Sequence, residues 1–254
     1  MKRTAKEYLS RGLAKLPIPE RVYRQAEFRL WGSPYPDSTE PELSAAVFRT
    51  VEDGDVFWDV GAMNARYARV VSTACHPAGI VAFEPNPQFY EKCASRVRDL
   101  LGEFPRRTFQ MALGDASERV DFATEMPEEA YSSSGAVVDD RQLPEYDRVE
   151  SVSVPMETGD SMIRQYPEFE PTVVKIDVEG AEHEVLKGLE TALSRGSIRA
   201  VFCEIHLPND GISPSIDDFG ASEGEIYATL REHGYEVELV TQRSERDKHI
   251  KASR

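Results

Sequence analysis

Cysteine is scarce. Only Cys75, Cys93 and Cys203 occur among 254 residues, an odd number with no CxxC pair. They read as buried thiols of a reducing compartment, not as disulfides or zinc ligands, and no His–Cys cluster suggests a structural metal. Long apolar runs are also missing; none approaches the roughly 18 residues that cross a membrane. The stretch 1–11 is polar and charged, without a secretory signal pattern, so the expected location is the cytoplasm. Positive charge is short: 30 Lys and Arg face 45 Asp and Glu, a net charge of -15. Such a surface repels phosphate backbones, so a nucleic-acid partner is not expected. Arginine far outnumbers lysine, which fits a salt-adapted protein or an acidic cytosolic enzyme from a GC-rich genome.

A hydrophobic fraction of 40% and a charged fraction of 30% are those of a globular chain, long enough for one sizeable α/β domain. Residues 1–37 differ from the rest. Apolar residues such as Leu13, Val22, Phe28 and Leu30 lie among basic ones, broken by Pro17 and Pro19. They predict one or two amphipathic helices forming an N-terminal cap, with a substrate lid or a docking surface for a membrane or partner as sharper alternatives. Residues 38–254 form the main domain.

In that domain short apolar runs alternate with helix-length amphipathic stretches. Strands are predicted at 56–60, 79–84, 107–113, 172–177, 198–205 and 235–241, with short extra ones at 119–124 and 249–252. Helices are predicted from a Thr39 cap to about 51, then at 64–75, 87–101, 159–166, 181–194 and 222–232. Residues 126–150 show little periodicity and read as a loop or small insertion; within them Ser132–Ser134 reads as a flexible loop. Strands alternating with helices imply a mostly parallel sheet covered on both faces.

Ligands on such sheets bind beyond the carboxyl ends of the strands, at the switch point. Those ends are unusually polar here: Asp59, Glu84, Asp115, Asp177 and Glu204 follow or end apolar runs. The first turn reads Asp59-Val60-Gly61-Ala62-Met63-Asn64-Ala65. Gly61 permits close backbone approach, but GxGxxG is absent, which disfavours a dinucleotide pyrophosphate. S-adenosylmethionine (SAM) has no phosphate and needs fewer glycines. Glu84 ends the second strand and is placed to accept hydrogen bonds from ribose hydroxyls.

Asp59-Val60-Gly61-Ala62, Ala82-Phe83-Glu84-Pro85-Asn86-Pro87, Ala112-Leu113-Gly114-Asp115, Lys175-Ile176-Asp177-Val178-Glu179-Gly180-Ala181-Glu182 and Glu204-Ile205-His206 together resemble the successive motifs of FkbM-type SAM-dependent methyltransferases. The resemblance runs from about residue 55 to 206. It implies a Rossmann-like class I methyltransferase fold with a seven-stranded sheet, SAM as cofactor, and methylation of a hydroxyl on a sugar, glycan unit or related small molecule. It also implies that Asp59 and the Gly61 loop, with Ala62, hold the methionyl amine and carboxylate. Glu84 would hold the ribose, Asn86 would lie close by, and Ala112 to Asp115 would border the adenine. One departure stands out: Met63 and Ala65 occupy the loop's usual Asn and Gly positions, so Asn64 is the candidate substitute. That departure motivates a rival reading, a non-catalytic methyltransferase-like domain that binds a partner.

An alcohol loses its proton as it attacks a methyl group, so a base within reach is expected. Asp177, Glu179 and His206 are the catalytic candidates, with Glu204 nearby. The paired acids would raise one another's pKa or bind a divalent cation. Glu182 reads as a helix-dipole residue and Asp160 as a cap. His76, His183, His233 and His249 read as surface residues.

Overall fold

The structure, a computed structural model, describes residues 19–35, 39–124, 135–138, 150–208 and 214–254. Leu13, the Ser132–Ser134 run and most of the 126–150 stretch lie outside them. In chain order the elements are α1 (Glu20–Trp31), α2 (Pro41–Thr50), β1 (Val56–Val60), α3 (Arg66–Ala74), β2 (Gly79–Phe83), α4 (Pro87–Arg98) and β3 (Arg106–Phe109). Next come β4 (Ala112–Gly114), β5 (Glu118–Ala123), β6 (Ala136–Val138), β7 (Ser151–Thr158), α5 (Gly159–Gln165), β8 (Val173–Ile176), α6 (Glu182–Gly188) and α7 (Glu190–Arg195). The chain closes with β9 (Ala200–His206), α8 (Glu223–Glu232), β10 (Glu236–Gln242) and β11 (Asp247–Ser253).

The main sheet has seven strands in the order β10-β11-β9-β8-β1-β2-β3. The run from β9 to β3 is parallel, and β11 is antiparallel to both its neighbours. The chain moves outward from β1 through β2 and β3, then resumes on the other side of β1 with β8. That reversal opens a crevice at the carboxyl ends of β1 and β8.

Strand periodicity decides which side chains meet there. Trp58 and Val60 pack into one core layer with Leu186 and Leu193 of α6 and α7. Phe57, Ile80, Val173 and Phe202 pack into the opposite layer with α2, α3 and α4. Successive residues point to opposite faces, so Asp59, Glu84, Lys175, Glu204 and His206 continue the Phe57 face. The sheet therefore delivers its polar strand ends to one side, under α2 and α3. Helix α1 packs on α3, and the Phe28 ring lies 4.9 Å from Phe48 of α2.

Several expectations are corrected. The 107–113 run splits, because β3 pairs with β2 whereas β4 pairs with β7 in a second sheet of order β4-β7-β5-β6. That second sheet was not foreseen: its pairings are long-range, and β6 lies within the stretch read as a loop. The 181–194 helix breaks at Leu189. Gly188 abuts the Gly114 carbonyl so closely that an added Cβ would sit 1.9 Å from it. Asp160 then caps α7, accepting from the Thr191 and Ala192 N–H groups at 2.7 and 3.1 Å. Thr39 caps nothing; Glu40 holds the cap position of α2, and Thr39 accepts from Arg66. His249 is fully buried on β11 rather than at the surface.

Candidate active site

Gly61 follows β1 with φ 73°, and an added Cβ would lie 1.7 Å from the Asp177 carbonyl oxygen. Only glycine lets the ends of β1 and β8 approach so closely. The Gly61 and Ala62 N–H groups both donate to the Phe83 carbonyl at 3.0 Å, so they tie the loop to β2. Met63 and Ala65 adopt left-handed φ values of 46° and 56° without being glycine. This turn directs the Met63 N–H onto Glu84 Oε2 at 2.5 Å.

Glu84 is 2% exposed at the end of β2. Its Oε1 accepts from the Asn86 N–H at 2.8 Å. Burial pushes its carboxyl up to about 7, and the two backbone donors oppose that rise. Its carboxylate is thus fixed by backbone while bordering a cleft. That cleft is lined by Gly61, Glu84, Ala112, Asp177 and Glu179, with an apolar wall that includes Met111, Leu113 and Phe122. Phe122 and Val137 come from the small sheet.

Asp59 is buried beside it. Oδ2 accepts from the Ala68 N–H at 3.1 Å, and Oδ1 has no hydrogen-bond partner among the described residues. Burial raises its carboxyl to about 6 despite the nearby Lys175 ammonium. Lys175 is the register neighbour of Asp59 across the β1–β8 ladder, and its Nζ lies 4.0 Å from Asp59 Oδ1. The same Nζ donates to Asp177 Oδ2 at 2.7 Å. Burial lowers the Lys175 pKa, but Asp177 and Asp59 outweigh that and raise it. Burial likewise raises Asp177, and Lys175 then His206 bring it below the ordinary carboxylate range.

His206 ends β9 and faces the turn between β8 and α6. Its Nε2 lies 3.3 Å from Glu179 Oε2 and 3.9 Å from Asp177 Oδ1. Burial lowers its pKa, but Glu179 and Glu182 overcome this and hold it well above the usual histidine value. Glu179 takes a left-handed φ of 54° to reach this position, a conformation that costs about 1–2 kcal/mol for a non-glycine residue. Asp177, Glu179 and His206 offer donor atoms within 4.8 Å of one another. A cation placed there would compete with the Lys175 ammonium for Asp177. Behind the cluster, Glu204 lies 3.2 Å from Arg243 and 3.0 Å from His249, its register neighbour on β11.

The cleft thus brings together Gly61, Glu84, Ala112, Asp177 and Glu179, with Asp59 and His206 buried next to them. It leaves other candidates outside. Asn64 lines a separate cavity with Tyr35, Arg69 and Arg96. Asn86 is buried as the cap of α4, accepting from the Gln88 N–H and donating to the Thr124 carbonyl. Asp115 is exposed in an adjoining cavity beside Arg119 and Glu184. Sequence reasoning gave Lys175 no role and read Glu182 only as a helix-dipole residue. The signal for Lys175 was a lysine inside the apolar run 172–176. Glu182 does sit in the first turn of α6, yet it is fully buried and stands 2.7 Å from His206 Nδ1.

Comparison with known proteins fits this geometry. The Methyltransferase FkbM domain matches residues 59–237. Hexuronic acid methyltransferase AglP of Haloferax volcanii is 27% identical over 208 residues, covering 82% of this chain and 78% of that protein. The crystal structure of the FkbM methyltransferase from Methylobacillus flagellatus KT superimposes with a TM-score of 0.53 at 15% identity. That match covers 97% of this chain, which spans only 58% of the other. The matched segment begins at Asp59 and contains every cleft residue named above, and the chain belongs to the FkbM methyltransferase domain family.

Proposed function

We propose that this chain is a SAM-dependent O-methyltransferase acting on a hydroxyl of a sugar, glycan unit or related small molecule. One observation carries the reading: a single cleft is bordered by the backbone-fixed Glu84 on one side and by Asp177 and Glu179, with His206 behind them, on the other. The residues present fit SAM. The orphaned, buried Asp59 Oδ1 suits the methionyl ammonium, Glu84 suits the ribose diol, and the apolar wall suits the adenine. When bound, SAM supplies a methyl group on an electron-poor sulfonium. The chain's own residues handle the acceptor: above the pH at which His206 titrates, its Nε2 takes the hydroxyl proton, and Asp177 and Glu179 orient the hydroxyl beside it. Lys175 keeps Asp177 charged.

The acceptor class is supported by the likeness to AglP, a hexuronic acid methyltransferase. Against the rival non-catalytic reading, Met63 and Ala65 take left-handed φ values that form the turn and bring the Met63 N–H to Glu84. Three free, buried cysteines support a cytoplasmic location, and the charge of -15 argues against a nucleic-acid substrate. Among the described residues no helix is long and apolar enough to cross a membrane. Residues 1–37 are read as a cap on a domain spanning 38–254, supported by the packing of α1 on α3.

Isothermal titration with SAM, followed by transfer of labelled methyl to hexuronate-containing and neutral oligosaccharides, tests the proposal. Binding and label in the oligosaccharide are expected, with turnover lost in Asp177→Asn. No heat with SAM at high concentration would sink it.

A further inference from the structure

Glu182 is a buried acid in an expensive place. An acid in the first turn of a helix stabilises the dipole equally well from the surface. This one is 0% exposed, and burying a carboxylate is costly unless its partners compensate. Its Oε1 accepts from the Gly180 N–H at 2.9 Å and stands 2.7 Å from His206 Nδ1. Its Oε2 has no hydrogen-bond partner among the described residues. The imidazole therefore spans two environments: Nδ1 meets a buried acid, and Nε2 meets Glu179 and Asp177 at the cleft.

An ionised carboxylate only accepts, so the ring nitrogen facing it must carry the hydrogen. Both nitrogens face acids, so the imidazolium carries both hydrogens. On losing one it keeps that on Nδ1, whose hydrogen bond to Glu182 at 2.7 Å is closer than Glu179 at 3.3 Å from Nε2, and Nε2 then holds the lone pair. We infer that Glu182 is a positioning residue that fixes the Nδ1–H tautomer and ring orientation of His206, so that Nε2 presents its lone pair to the acceptor hydroxyl. This rests on the reading of His206 as proton acceptor given above. The charges around the ring come from every neighbouring element: Asp177 and Glu179 after β8, Glu182 on α6, Glu204 on its own strand, and Asp247 opposite it on β11. Lys175 and Arg243 stand behind Asp177 and Glu204. Removing the Glu182 charge withdraws one of the acids that hold the ring protonated, so the ring deprotonates at lower pH.

Nitrogen-15 spectra of the labelled full chain, above the pH at which His206 titrates, read the tautomer directly and need no variant. The Nδ1–H form is expected; an Nε2–H form overturns the inference. Glu182→Gln keeps the volume and one acceptor but no charge. It should lower kcat at least about tenfold and move the acid limb of the kcat profile down by about one pH unit, with SAM affinity within about twofold. Glu182→Asp restores the charge and should return the acid limb toward that of the parent. An acid limb unmoved in Glu182→Gln overturns the positioning role. Near-normal turnover in His206→Gln would instead sink the underlying reading of His206, while the tautomer still reports on Glu182.

Discussion

At Glu84 two effects oppose each other. Burial favours the protonated acid and lifts its pKa to about 7, while the Met63 and Asn86 N–H groups favour the carboxylate. Asp59 behaves alike, at about 6. Both folded values lie above the ordinary range, so these groups stabilise the fold most in acid and lose that contribution as pH rises through them. A ligand that donates hydrogen bonds or brings an ammonium needs both groups charged. The thermal shift produced by SAM should therefore be small near pH 5.5 and grow toward pH 8, as scanning fluorimetry across that range would show. Glu84→Gln should flatten the dependence between pH 6 and 8 and weaken SAM binding about 10- to 100-fold in calorimetry. A wild-type shift that ignores pH would remove Glu84 from the cofactor site. Gly61→Ala is the severe residue-scale change. Its methyl would collide with the Asp177 carbonyl and must part β1 from β8, at a cost of roughly 2–4 kcal/mol in denaturant unfolding.

Elements meet at a few close approaches, and these separate stability from ligand binding. Gly188 of α6 seats against the Gly114 carbonyl at the end of β4, and β4 carries Ala112 into the cleft wall. Gly188→Ala should cost about 1–3 kcal/mol and also weaken SAM binding, because the wall moves. At the opposite end of the sheet, Asp55 gathers β1, β8 and β9. Its carboxylate pairs with Arg199, and it accepts from the Thr172 hydroxyl and the Glu52 N–H, each at 2.7 Å. Arg199→Ala should lower stability by about 2–3 kcal/mol yet leave SAM affinity unchanged, since this pin lies at the amino ends of the strands. Paired unfolding and calorimetry on the two variants would check the contrast. The central strands β1, β2, β8 and β9 were legible because each is a short, mostly apolar run. Of the small sheet only β5 was legible as a strand; its pairing was not, because β7 alternates weakly and meets β5 across a stretch whose composition carries no period. The break in the 181–194 helix was equally hidden, because it depends on a carbonyl some 70 positions earlier in the chain.

For the whole molecule the dominant quantity is the charge of -15. Like charges repel across the compact state more than across the expanded chain, and salt screens them. Raising KCl from about 0.05 M to about 1 M should raise the melting temperature, and a fall would show that local ion pairs outweigh the global repulsion. The same excess of acid is concentrated at the cleft, where six carboxylates of residues 59, 84, 177, 179, 182 and 204 are held by Lys175, Arg243, His206 and backbone N–H groups. The amino-acid sequence by itself determined the alternation of strand and helix, the glycine turn after β1, and which acids end which strands. Those are local properties, written in periodicity and in backbone sterics. Only the tertiary structure decided which of those acids share a space. Strand register set Lys175 beside Asp59, the fold of the turn after β8 brought Glu179 to His206, and burial made Glu182, read from the sequence as a helix-dipole residue, a partner of His206. Register and burial are pairings between distant segments, and no local pattern encodes them.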